Sequence, residues 1–178
     1  MTLWQDDKKF ETSYFDMFPG YYFTGDGGFI DKDGYVFIMG RIDDVINVAG
    51  HRLSTGAMEE VVATHPDVAE CAVVGRRDGF KGQLPFGFVV LKSHVNRDPN
   101  EITGELVRMV RDQIGAFACF KEAVVLKRLP KTRCGKILRG TMRRIADGEE
   151  YRIPSTIDDP DVLREVEEAV KRINPNPA

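Results

Sequence analysis

VINVAGHRLSTGAMEEVV, residues 45–62, decides how this chain folds. Val45, Ile46 and Val48 read as a short β-branched strand, Ala49-Gly50 as a turn, and His51 to Ser54 as a second strand. The period then changes. Met58, Val61 and Val62 fall on one side of a helix over residues 56–64, with Ser54 or Thr55 as its N-cap and His65-Pro66 as its end.

Downstream, VAECAVVG (68–75) and FGFVVLK (86–92) read as buried strands. The segment between them, RRDGFKGQLP, is polar and glycine-rich and reads as a loop. Asn100 is expected to cap a helix running to Gly115, with Ile102, Leu106, Val110 and Ile114 on one face. AVVLKRL (123–129) is a third strand. Residues 137–147 form a helix buried through Leu138, Met142 and Ile145 and closed by Gly148. In the tail, Asp159-Pro160 starts a helix whose apolar stripe is Val162, Leu163, Val166, Val170 and Ile173. It reads as a surface helix packed on the domain. The order from residue 45 onward predicts an α+β fold, a small mostly antiparallel sheet flanked by helices.

Upstream, residues 8–18 read as a short helix stopped by Pro19-Gly20, and YYFTGD as a strand with Asp26 at its end. GGFIDKDGYVFIMGR reads as a hairpin turning at Asp31-Lys32-Asp33-Gly34. This turn lacks the further ligand positions of an EF-hand. Residues 1–42 suit the core poorly, and their hairpin reads as the edge of something larger.

Composition narrows the function. With 25 Lys and Arg against 28 Asp and Glu, the chain lacks the basic excess of a nucleic-acid binder. No apolar run reaches the roughly 20 residues that span a bilayer, so no membrane partner is expected. MTLWQDDKKF has neither the basic nor the apolar region of a signal peptide. Three scattered cysteines, Cys71, Cys119 and Cys134, suit a reducing compartment and show no zinc spacing; with three dispersed histidines, no metal site is expected. A cytoplasmic location is expected, or the mitochondrial matrix in a eukaryote.

Three stretches carry candidate chemistry. In YFTGD, Asp26 is either an acceptor for two ribose hydroxyls or a solvated turn carboxylate. In GRIDD followed by GHR, Arg41 and Arg52 offer forked contacts to phosphate or carboxylate, and Gly50 permits close backbone approach; the same residues also read as a surface ion-pair cluster. In RLPKTRCGKILRG (128–140), Lys136 follows a glycine in a turn before a helix. It is not a nucleoside-triphosphatase phosphate loop, because Pro130 and Ile137 stand where that loop needs glycine and a hydroxyl residue.

Taken in this order, YFTGD, GRIDDVINVAGHRLSTGAMEE and LPKTRCGKILR resemble the late motifs of adenylate-forming enzymes, specifically AMP-forming short-chain acyl-CoA synthetases of the acetyl- and propionyl-CoA type. The resemblance covers nearly the whole chain. Ala57, where acetate enzymes typically carry glutamate, and the wording of DDVINVAGHRLS and YRIPSTIDDP lean toward the propionate branch. Cys134 departs from the family's usual serine, and Ala116 from a frequent proline.

The resemblance implies a two-step ligase. ATP and a short-chain carboxylate give an acyl-adenylate and pyrophosphate; CoA then takes the acyl group and releases AMP. Residues 1–42 would be the tail end of the N-terminal adenylating domain, 43–150 a mobile C-terminal domain, and 151–178 a helical tail. Lys136 matches the catalytic lysine of adenylation, a cation carried by its loop. Asp26 and Arg41 match the ribose-binding positions, and Arg52 a phosphate contact. Asp43 matches the hinge, Gly50 the backbone beside the pantetheine tunnel, and Arg111 an arginine near the CoA 3′-phosphate. Mg2+ would be bound mainly through ATP and the N-terminal domain. A lysine acetyltransferase and deacetylase acting on Lys136 are implied partners. The adenylating half is absent from these residues, so the chain alone is expected to be inactive. The other reading is a stand-alone CoA-binding or regulatory module of the same fold.

Overall fold

The computed structural model describes residues 2–173. The chain separates into two compact units, Met1–Asp43 and Asp44–Ala178.

The first unit contains helix α1 (Asp7–Tyr14) and an antiparallel hairpin of β1 (Asp26–Ile30) and β2 (Val36–Arg41). Asp6 caps α1 by accepting from the Lys9 amide at 3.1 Å. Asp31 shapes the hairpin turn, its Oδ1 accepting from the amides of Asp33 and Tyr35, both at 2.9 Å. Aromatic contacts replace an aliphatic core: Tyr14 stacks on Tyr22 at 4.8 Å and Phe29 on Phe37 at 4.9 Å. Among its described residues only Gly25 is buried. The expected helix over 8–18 is therefore shorter, because α1 buries no side chain that would extend it. YYFTGD is not a strand: Gly25 takes φ +77°, and only Asp26 joins the ladder.

The second unit is built on β3 (Val45–Val48), β4 (His51–Ser54), β5 (Val68–Asp78), β6 (Gly82–Leu91) and β7 (Glu122–Leu126). Strand β6 is central. It pairs antiparallel with β5 along one edge; on the other it meets β3 at Gly82 and runs parallel to β7 from Phe86 to Val90. Helix α3 (Pro99–Gln113) makes the crossover that a parallel pair requires.

The long strands are buried on both faces. Val73, Val89 and Ala123 face α2 (Thr55–Ala63) and α3, against Met58, Val62, Ile102, Leu106 and Val110. Their neighbours Ala72, Val74, Phe86, Phe88 and Val124 face α4 (Arg139–Ala146) and α5 (Asp161–Ile173), against Met142, Ile145, Leu163 and Val166. The two-residue period of a strand sorts adjacent side chains into two cores, giving a helix–sheet–helix sandwich. Helix α5 belongs to the second core. Val162, Leu163, Val166 and Val170 are all buried, each contributing on the order of 1.5–3 kcal/mol.

Two local expectations are corrected. Most of RRDGFKGQLP is strand: β5 and β6 continue to a tight tip at residues 79–81, where Asp78 Oδ1 accepts from the Phe80 amide at 3.0 Å and the Lys81 amide at 2.8 Å. Ladder bonds outweigh a composition that reads as loop. Helix α3 is capped by Asp98 rather than Asn100, because Pro99 occupies the first helical turn and Asp98 accepts from the Asn100 amide at 2.9 Å. All three cysteines are free. Among the described residues no helix is long and apolar enough to cross a membrane.

A polar knot joins α2, β5 and α3. Buried His65 accepts from the Asp67 amide through Nδ1 at 3.1 Å, so its Nε2–H donates to Glu105 at 2.9 Å. Arg97 bridges Glu105 and Asp67. Hydrogen bonds from Arg97, then from His65, hold the Glu105 carboxyl down at about 2 against an ordinary 4.5. A depressed carboxyl stabilises the fold above its unfolded pKa and loses that contribution as pH falls through its folded pKa. Glu105→Gln should therefore lower stability at neutral pH and flatten the pH dependence between about 4.5 and 2, read by urea midpoints across that range. An unchanged profile would contradict the role given to Glu105.

Candidate active site

In the first unit, Asp26 and Arg41 are register partners at the open end of the hairpin. The Arg41 guanidinium donates from Nη1 to the Thr24 carbonyl at 2.8 Å and lies 3.5 Å from Asp26 Oδ1. Both side chains stay accessible, at 50% and 36% exposure. Gly25 makes this possible: a Cβ there would stand 2.7 Å from Arg41 Nη2. The structure thus brings two of the expected nucleotide contacts together. An exposed pair of this kind adds little stability, so its value lies in pre-placing a carboxylate beside a guanidinium.

In the second unit, the β3–β4 turn carries Gly50 and Arg52. Asn47 Oδ1 accepts from the Gly50 amide at 3.1 Å, and the Lys81 carbonyl accepts from the Ala49 amide at 2.8 Å. Gly50 sits at φ +88° with open space around its Cα. Arg52 is exposed across from Asn47 and has no ion pair among the described residues. His51 packs against Phe117 at 5.4 Å, in the 3-10 turn (Ala116–Ala118) that follows α3. Arg111 lies exposed in the last turn of α3. The tip with Gly50 and the end of α3 with Arg111 therefore both adjoin one short segment. Asp43 is the last residue of the first unit.

Lys136 stands on a turn of its own. Lys131 bridges Ile137; the Thr132 amide donates to the Lys136 carbonyl at 2.8 Å, and Thr132 Oγ1 accepts from the Lys136 amide at 3.1 Å. Gly135 takes φ +81° at the reversal. Outside the turn, Thr132 bridges Ile157, the Arg133 amide donates to the Thr156 carbonyl at 3.0 Å, and the Asp158 amide donates to the Lys131 carbonyl at 3.0 Å. The turn is thus part of a small sheet-like strap, not a free loop, and Lys136 is fixed to its unit by the backbone. Its side chain is exposed and forms no ion pair among the described residues.

Residues the sequence reading passed over surround this turn. Glu59 accepts a forked contact from Arg139, and Glu70 accepts from Lys131 at 2.8 Å. Hydrogen bonding to Glu59 raises the Arg139 pKa above its ordinary value against the opposing desolvation, and the Asp44 carboxylate adds to it. Burial pushes the neighbouring Cys71 thiol up to about 11, so it is not a nucleophile at neutral pH. No sequence spacing joins Glu59 to Arg139, which are 80 residues apart; only their opposite charges in two singled-out motifs pointed that way. Among the described residues no group of three or more metal-ligating side chains converges.

Residues 57–136 match the AMP-binding enzyme C-terminal domain family. It is 60% identical to an uncharacterized protein of Pseudomonas aeruginosa, over 96% of this chain and 27% of that protein. It is 48% identical to the mitochondrial acyl-CoA synthetase short-chain family member 3 of Mus musculus, over 96% of this chain and 25% of that one. The solved acetoacetyl-CoA synthetase of Streptomyces lividans superposes with a TM-score of 0.76 at 25% identity, over 95% of this chain and 25% of that one. The chain spans about a quarter of the length of these relatives.

The two lysines of the strap differ in their surroundings. Under limiting acetic anhydride, Lys136 should acylate faster than Lys131, whose ammonium Glu70 holds at 2.7–2.8 Å. Peptide mass spectrometry over a time course reads the two rates, and equal rates would contradict the difference in pairing.

Proposed function

We propose that this chain supplies the mobile C-terminal domain, and the end of the preceding domain, of an AMP-forming ligase that activates a short-chain carboxylate, propionate or acetate. In the first step the carboxylate oxygen attacks the α-phosphorus of ATP and pyrophosphate leaves. In the second the CoA thiol attacks the acyl carbonyl of the adenylate; AMP leaves and the thiol proton goes to solvent. The observation that carries this reading is Lys136: an exposed ammonium with no ion pair among the described residues, on a backbone-fixed turn at the end of the matched segment. A compact cation stabilises the charge that develops between carboxylate and α-phosphate without accepting a proton.

The domain limits follow the same reading: residues 1–42 close the adenylating domain, 43–150 form the moving domain and 151–178 its tail. Asp26 and Arg41 hold the ribose, Arg52 reaches the phosphates, and Asp43 absorbs the torsional change between the two poses. The Gly50 turn flanks pantetheine, and Arg111 meets the CoA 3′-phosphate. Mg2+ enters with ATP. Because Lys136 is fixed to its turn, it travels with the whole domain. Acetylation of Lys136 by a protein acetyltransferase would remove its charge and stop adenylation, and a deacetylase would restore it. The enzyme would work in the cytoplasm, or in the mitochondrial matrix.

The test uses the full-length protein that carries this chain. Wild type should exchange pyrophosphate into ATP when acetate or propionate is present. Lys136→Ala should lose exchange by about 10²–10³-fold, while thioester formation from supplied acyl-adenylate stays within about threefold. Equal loss of both steps would overturn the role of Lys136. No exchange by wild type with either acid would overturn the activity.

A further inference from the structure

The Lys136 turn ends where α4 begins, and Arg139 is the first residue of that helix. Arg139 donates from Nε to Glu59 Oε1 at 3.0 Å and from Nη2 to Glu59 Oε2 at 2.7 Å. Glu59 Oε1 also accepts from the Val73 amide at 2.8 Å. One carboxylate therefore joins three elements: α2, which bears it, the buried strand β5, and the start of α4. The pair is sheltered, with side-chain exposures of 17% for Glu59 and 30% for Arg139. A forked contact fixes direction as well as distance, which a single ammonium contact does not.

The other end of the turn is tied differently. Lys131 meets Glu70 through one ammonium, and these side chains are 33% and 42% exposed. Such a contact is screened and geometrically loose. The backbone bonds within the turn fix its shape, but they do not by themselves orient the turn on the sheet. The 156–158 clasp and the packing of Ile137 and Leu138 hold it to the second core, and on the α2 side Glu59 sets it, because Val73 places its carboxylate and Arg139 follows it.

We propose that Glu59 and Arg139 are positioning residues for Lys136: their forked pair sets where the ammonium stands when the acyl-adenylate forms. This rests on the proposed role of Lys136 in adenylation. Neither residue is assigned contact with substrate. Their effect should fall on the adenylation step alone, because the thioester step does not use Lys136.

The test again uses the full-length protein. Glu59→Gln keeps the side-chain shape and an acceptor for Val73 but removes the charge that orients Arg139. Arg139→Lys keeps the charge but removes the fork. Each should lower kcat for pyrophosphate exchange about tenfold or more, since displacement of a reacting group by about 1 Å costs up to about 100-fold. KM for ATP and thioester formation from supplied acyl-adenylate should stay within about twofold of wild type. Lys171→Gln, at a 71%-exposed side chain in the last turn of α5, should leave both steps unchanged.

Equal loss of both steps in the two variants would overturn the proposal, leaving the pair a purely structural role. So would exchange at the wild-type rate in Arg139→Lys. If Glu59→Gln does not fold, Arg139→Lys decides. The two readings fail separately: wild-type activity, with selective loss in Lys136→Ala but not in Arg139→Lys, would sink the positioning role and leave the proposed function standing.

Discussion

The second unit depends on a backbone constraint: residues 130–138 close on themselves and are clasped from outside by 156–158. The Leu138 amide donates to the Pro130 carbonyl at 2.9 Å, Thr132 and Lys136 bond in both directions, and the tail adds the Arg133 and Asp158 bonds. An exposed lysine on a free loop would search many rotamers and many backbone positions. Here the backbone search is removed and only the side chain remains to be ordered. The same clasp explains why the tail belongs to the domain. Residues 156–158 lead into α5, and α5 is held by Val162, Leu163, Val166 and Val170 in the second core.

Charge is divided along the strap with the same economy. Lys131, Arg128 and Arg139 are each paired, with Glu70, Asp159 and Glu59 respectively. Lys136 is left unpaired among the described residues. A lysine held by a carboxylate would arrive at a phosphate already neutralised, and its net attraction would be the difference between two similar contacts. Three cations around the turn are thus satisfied locally, while Lys136, like its exposed neighbour Arg133, has no ion pair among the described residues. Arg139 is the most sheltered of the three pairs and the one with a fork, so it carries direction rather than mere attachment.

Much of this was legible in the sequence. The strand pair over residues 45–54, the helix after it, and the strands at 68, 86 and 123 follow from β-branched runs and changes of period, because those segments bury side chains and burial imposes the pattern. Errors fell where hydrogen bonding rather than burial decides. The polar segment 76–85 pairs into the β5–β6 ladder, and Asp98 outcompetes Asn100 as a cap. YYFTGD looks like a strand by residue type, yet Gly25 turns away so that Arg41 can lie against it. Among the candidate site residues, Lys136, Asp26 and Arg41 were singled out by motif wording. Glu59 and Arg139 were not, since their relation is a fold-level contact between α2 and the start of α4.

The contrast between the two units bears on how such a site can work. The second unit sandwiches a doubly buried sheet, whereas the first buries only Gly25 among its described residues and presents Tyr35, Val36 and Ile38 at 64–69% exposure. A surface so rich in apolar side chains is stable when covered, and in a ligase of the proposed kind the adenylating domain would cover it. In that reading Asp26 and Arg41 would gain their rigidity from the larger body, and Lys136 its own from the clasped strap of the second unit. In a ligase of the proposed kind, two separately rigid mounts would let one cation approach and leave a nucleotide without either site deforming.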